Sequence, residues 1–184
     1  PYTPAIRDED SPASKPAALI DHAVDGLAMA KRTGCASVLV VGGGSTVEVG
    51  KSIATLLTGK ASAETLRNPS TREDIIKESL QQKLSNTKVT PIIAVPTSFH
   101  GCVAASSNKT FLTDPQEGSV FEMSGNYLDH SGGVKVVVDP SLLSLSTPMI
   151  CAEGAISSLA RLSDAMLANE SAAQGIGRDG GIAL

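Results

Sequence analysis

The sequence predicts an α/β fold, a short, mainly parallel sheet flanked by helices. Three observations carry this. Two short apolar runs rich in β-branched residues, SVLVV (37–41) and PIIAV (91–95), have the composition of strands buried on both faces of a parallel sheet. Each runs into a turn of glycine, proline or hydroxyl residues. Stretches with apolar residues three and four positions apart separate them, as helices require.

Taken in order, residues 1–15 contain three prolines and a charged run, and read as an extended leading segment. One α/β domain follows over 16–170, and the glycine-rich residues 171–184 read as a flexible tail. From Pro16 the spacing of Ala18, Leu19, Ala23, Leu27 and Ala30 predicts a helix that Gly34 stops. After the 37–41 strand comes GGGS (42–45), then a helix over 46–57 with Ser45 as N-cap and Glu48 completing a capping box. Asn68-Pro69 marks a turn, and residues 72–84 form a surface helix. The second strand opens into TSFHGCVAASS (97–107), and residues 108–133 read as an irregular hairpin or loop region. A third strand spans VKVVVD (134–139), and a helix covers roughly 149–169.

The chain has 184 residues, 41% hydrophobic and 18% charged, with 15 Lys+Arg against 19 Asp+Glu. This is a globular composition with room for one core. A formal net charge of −4 with no basic cluster argues against a nucleic-acid partner or an anionic membrane surface. No apolar run is long enough to span a bilayer. Three cysteines without a CxxC pair suit a reducing compartment, so a cytoplasmic location is expected.

Chemistry concentrates where the two strands end. In GGGS, Gly42, Gly43 and Gly44 let the backbone approach a ligand closely, and the following helix aims its N-terminal N–H groups at the same place. Ser45 adds a hydroxyl. Neither the GxxxxGK[ST] nor the GxGxxG spacing is present, and a tight strand-to-helix turn would read the same way. In the second turn Thr97 and Ser98 offer hydroxyls, and His100 is the acid/base candidate by position. Cys102 beside it reads as a buried, inert thiol. Tyr127 and the Asp129-His130 pair are weaker candidates. Lys51 is expected to pair with a carboxylate on its own helix rather than with a phosphate.

VVGGGSTVEVGKSIA and PIIAVPTS, followed by VKVVVDPSLL, resemble the iron-containing alcohol dehydrogenase superfamily, closest in flavour to its maleylacetate reductase branch. The resemblance runs from about Pro4 to Glu170. It implies a dehydroquinate-synthase-like fold, a Rossmann-like nucleotide-binding domain followed by a helical metal domain. It further implies that Gly43, Gly44 and Ser45 hold the pyrophosphate of NAD(P), that Lys51 is the lysine of that helix, and that Thr97 and Ser98 flank the nicotinamide end. Glu48 stands where many members have aspartate. Ile156 and Ala160 stand where the family's helix carries an aspartate and a histidine for the metal. The strand-helix-strand unit that precedes PYTP in the family, and its metal domain, have no counterpart in these residues.

The expectation is therefore a truncated, metal-free relative that binds a small organic molecule in the old cofactor and substrate cleft. It would catalyse a non-redox step (cyclisation, isomerisation or dehydration) using His100 and Ser98, with no required cofactor and NAD(P) as a vestigial or real ligand. The alternatives are an NAD(P)H-dependent reductase completed by self-association or further segments, and a non-catalytic regulatory or scaffold subunit. A homodimer is expected, because Ile150, Ile156, Leu159, Leu162, Ala165 and Met166 form an apolar stripe on the last helix. Packing of that stripe on the chain's own sheet is the competing expectation.

Overall fold

Helix α1, Ile20–Thr33, buries Ile20, Ala23, Val24, Leu27 and Ala30, the face its spacing marks out. It ends at Gly34, whose φ of 64° is the left-handed conformation a glycine adopts without strain. The computed structural model describes residues 19–59, 62–84, 90–116, 118–125 and 134–179. The leading segment 1–15, Tyr127, Asp129 and His130 lie outside the described residues.

Strand β1 (Val38–Gly42) leads through Gly43 into α2 (Gly44–Thr58). A short helix the sequence did not signal, α3 (Ala63–Arg67), is capped by the Ser62 side chain, which accepts the Thr65 N–H. It precedes α4 (Pro69–Leu84). Strand β2 (Ile92–Pro96) is followed by α5 (Phe99–Ala105). Strands β3 (Lys109–Asp114) and β4 (Ser119–Ser124) form an antiparallel hairpin in the region read as irregular. Strand β5 (Val134–Val136) is shorter than expected, and α6 (Pro140–Leu143) starts under an Asp139 cap. Helix α7, Pro148–Asp179, is continuous past residue 170.

The main sheet is parallel, in the order β1-β2-β5, with Val38 opposite Ile92 and Ile92 opposite Val134. Val40, Ile92 and Ala94 pack with Val47 and Ala54 of α2 and Ala104 and Ala105 of α5. A second cluster joins α1 to Ile53 and Leu56 of α2, Leu66, Ile75, and Leu112, Phe121 and Met123 of the hairpin.

Burial on both sheet faces does not hold. Helices α2 and α5 cover one face, while Leu39 (67% exposed), Val41 and Ile93, which alternate onto the other, are open to solvent. Strand composition reports that a residue fits a pleated surface, and not which faces are covered. Nor does the apolar stripe of the last helix pack on the sheet. Helix α7 rests on α5, where a β-carbon on Gly154 would lie 2.5 Å from Phe99 Cβ. Ile156, Leu159, Leu162 and Met166 stay exposed.

Candidate functional site

The ends of β1 and β2 are bound side by side. Gly42 pairs with Pro96 in the register, and the Thr97 N–H donates to the Gly42 carbonyl at 2.9 Å. The two turns leaving these strands, and the starts of α2 and α5, therefore meet at one corner of the sheet. Ligands of open parallel sheets bind at this carboxyl edge.

The start of α2 corrects the predicted cap. The helix begins two residues earlier, its N-cap is Gly43, and no side chain caps it. Ser45 lies inside the first turn, and Glu48 faces away from any capping box. Its carboxylate instead accepts the Phe111 N–H at 3.0 Å. A backbone N-cap lacking a side chain leaves the first-turn N–H groups oriented toward the turn, where the dipole favours an anion.

The second turn is built around Ser98, which is 6% exposed and is the N-cap of α5. Its hydroxyl oxygen accepts the Gly101 N–H at 3.2 Å. A β-carbon on Gly43 would lie 3.3 Å from that oxygen, so the two turns touch. One on Gly101 would lie 3.1 Å from the Gly42 carbonyl oxygen, and the missing side chain lets α5 approach β1. Thr97 is half-buried between them.

His100 is exposed on the first turn of α5, with its ring against Gly44. Its Nδ1 lies 3.5 Å from Ser157 Oγ of α7. The structure thus brings Gly42, Gly43, Gly44, Ser45, Thr97, Ser98 and His100 into one corner. Ser157 was not legible as a neighbour, because it enters from a helix far along the chain. Cys102 is half-buried, and burial pushes its thiol up, away from the reactive thiolate. Lys51 pairs with a carboxylate of its own helix, its Nζ lying 3.9 Å from Glu48 Oε2. It is fully buried, and its Nζ donates to the Ala104 carbonyl at 2.8 Å and to that of Lys109.

Among the described residues, no three His, Cys, Asp or Glu side chains are grouped to hold a metal ion. No helix among them is long and apolar enough to cross a membrane. Ile156 and Ala160 lie exposed on α7, and their aliphatic side chains offer no lone pair. The residues at those positions do not fit a metal.

A three-strand parallel sheet with a glycine turn feeding α2 and helices on one face defines an α/β fold. The family model for iron-containing alcohol dehydrogenases matches residues 13–131, and the chain belongs to that family. A sulfoacetaldehyde reductase from Bifidobacterium kashiwanohense, solved in complex with NAD+, superposes with a TM-score of 0.50 at 20% identity, covering 76% of this chain and 32% of that one. The NADH-dependent butanol dehydrogenase A of Thermotoga maritima gives a TM-score of 0.57 at 18% identity, over 77% and 31% of the two chains. A 1,3-propanediol oxidoreductase gives 0.57 at 22%, over 79% and 34%. At these identities the likeness is one of fold. The chain spans about a third of the length of these structures. None of the curated proteins compared with it matches.

Proposed function

We propose that the chain supplies the dinucleotide-binding domain of an NAD(P)-dependent oxidoreductase, with the pyrophosphate received at Gly42–Ser45. The observation that supports it is the meeting of the two strand ends and two helix starts, tied by the 2.9 Å bond from the Thr97 N–H to the Gly42 carbonyl. The donor set is main-chain N–H and hydroxyl, with no carboxylate among the residues that form the two turns, which suits a phosphate diester.

When bound, NAD(P)H supplies a hydride for a carbonyl carbon. The first turn of α2 and Ser45 would hold its phosphates. Thr97 and Ser98 line the adjoining turn and orient what lies between them. His100, exposed beside both turns, delivers a proton to the carbonyl oxygen and is left neutral. No step is routed through a metal, since Ile156 and Ala160 cannot ligate one.

A second reading is favoured by those same two residues. The corner binds a small organic metabolite without a dinucleotide and runs a non-redox cyclisation, isomerisation or dehydration, with His100 as acid/base and Ser98 and Ser45 as hydrogen-bond donors. Calorimetric titration with NAD+, NADH, NADP+ and NADPH separates the two. Micromolar binding that Gly43→Val removes supports the oxidoreductase reading, and no binding by any of the four overturns it. A homodimer is part of either reading, supported by the open apolar residues of α7. Sedimentation as a monomer at micromolar concentration overturns it.

A further inference from the structure

Lys51 is the largest completely enclosed side chain among the described residues, and neither reading above uses it. Its Nζ donates to the Ala104 carbonyl in the last turn of α5 at 2.8 Å and to the Lys109 carbonyl at the start of β3. It lies 3.9 Å from Glu48 Oε2, one turn back on α2. The Glu48 carboxylate in turn accepts the Phe111 N–H, and the Thr110 hydroxyl donates to the Glu48 carbonyl at 2.9 Å. One ammonium thus joins α2, the negative end of the α5 dipole and the hairpin.

Replacing Lys51 alone leaves the Glu48 carboxylate and both carbonyls without this ammonium, so a methionine fills the volume at a loss of stability. A methionine cannot hold two carbonyls at hydrogen-bond distance. The two helices pack side by side, and their other ends are the two turns of the candidate site. We infer that Lys51 is a positioning residue for the dinucleotide turn. By holding the C-terminal end of α5 against α2, it sets where Ser98 and His100 at the N-terminal end meet Gly43 and Gly44. The inference rests on the dinucleotide reading of that corner.

The test compares Lys51→Met with Leu66→Ala in the 184-residue chain. Leu66 is buried in the cluster around α1, away from both turns, and its loss lowers stability alone. NADH affinity is measured by calorimetry well below both melting temperatures. Lys51→Met weakens NADH binding about tenfold, the equivalent of about 1.4 kcal/mol or roughly one hydrogen bond to the dinucleotide lost through misalignment. Leu66→Ala leaves it unchanged. A lower melting temperature for Lys51→Met with unaltered affinity overturns the inference. If Lys51→Met does not fold, Lys51→Arg decides by the same comparison, because its broader head keeps the charge but displaces the carbonyls. Failure of the dinucleotide reading shows separately, as no binding by the unmodified chain. Amide exchange then decides. Faster exchange at Gly44, Ser45 and Gly101 in the Lys51 variant than in Leu66→Ala supports positioning, and equal exchange overturns it.

Discussion

The imidazole of His100 lies so close to Gly44 that a β-carbon on residue 44 would sit 2.2 Å from its Cδ2. Residue 44 is thus glycine because α5 occupies the space a side chain would need, and not for its backbone conformation. Gly44→Ala must push the ring aside. Because His100 is exposed the ring can swing outward, so the loss stays at or below the low end of the about 1–3 kcal/mol that overpacking a core costs. Removing the ring in Gly44→Ala/His100→Ala restores most of that loss. Thermal melts of the single and double variants measure the coupling. Equal losses in the presence and absence of the imidazole would show that the two residues are not in contact.

Arg72 ties α4 to the hairpin. Its NH1 lies 2.6 Å from Asp114 Oδ2, its Nε donates to the Leu66 carbonyl at 2.8 Å, and both side chains are nearly buried. They line a small open cleft with Asp21, Arg67 and Gln116. Asp114→Ala strands a buried guanidinium, and such losses run to about 3–5 kcal/mol. Urea unfolding reads it. A change under about 1 kcal/mol, the range of surface pairs, would place this pair in solvent instead.

Ser98 caps a helix of only seven residues, which has few other bonds to hold its first turn. Ser98→Ala removes the acceptor for the Gly101 N–H and costs about 1 kcal/mol. Ser98→Thr, another good cap, recovers most of it. Melting temperatures of the pair check this, and a threonine variant as unstable as the alanine one would contradict it.

Asp139 caps α6 by accepting the Ser141 N–H at 2.8 Å and the Ser141 hydroxyl. The Ser141 hydroxyl first, and its N–H next, hold the carboxyl below its ordinary value. A lowered folded value means stability present above the unfolded value near about 3.9, lost as pH falls through the folded one. The melting-temperature advantage of the native chain over Asp139→Asn therefore shrinks between pH 6 and 2.5. An advantage that grows on acidification has the wrong sign.

Burial pushes the Cys102 thiol up, while Cys35 is exposed. The neutral thiol is favoured in the fold, so its contribution is present below the unfolded thiol value and fades as pH rises through the folded one. With iodoacetamide at about pH 8.5, Cys35 is alkylated well before Cys102. Mass spectrometry of a time course decides it, and equal rates would refute it.

What the sequence by itself determined is local. Periodicity located α1, and Gly34 ended it. The apolar runs at 37–41 and 91–95 located β1 and β2, and the residues after them marked the corner where the site lies. These signals survive in one dimension because strands, turns and caps are decided by neighbours a few positions apart. Only the tertiary structure decided which side chains meet. His100 covers Gly44 across 56 positions, and Lys51 reaches carbonyls 53 and 58 residues away. It also decided that α2 takes its cap from Gly43, since Glu48 is drawn off to the Phe111 N–H. It left Leu39 and Ile156 in solvent although both have strongly apolar side chains. Burial depends on what packs against a face, and contacts between distant segments impose no spacing that a sequence displays.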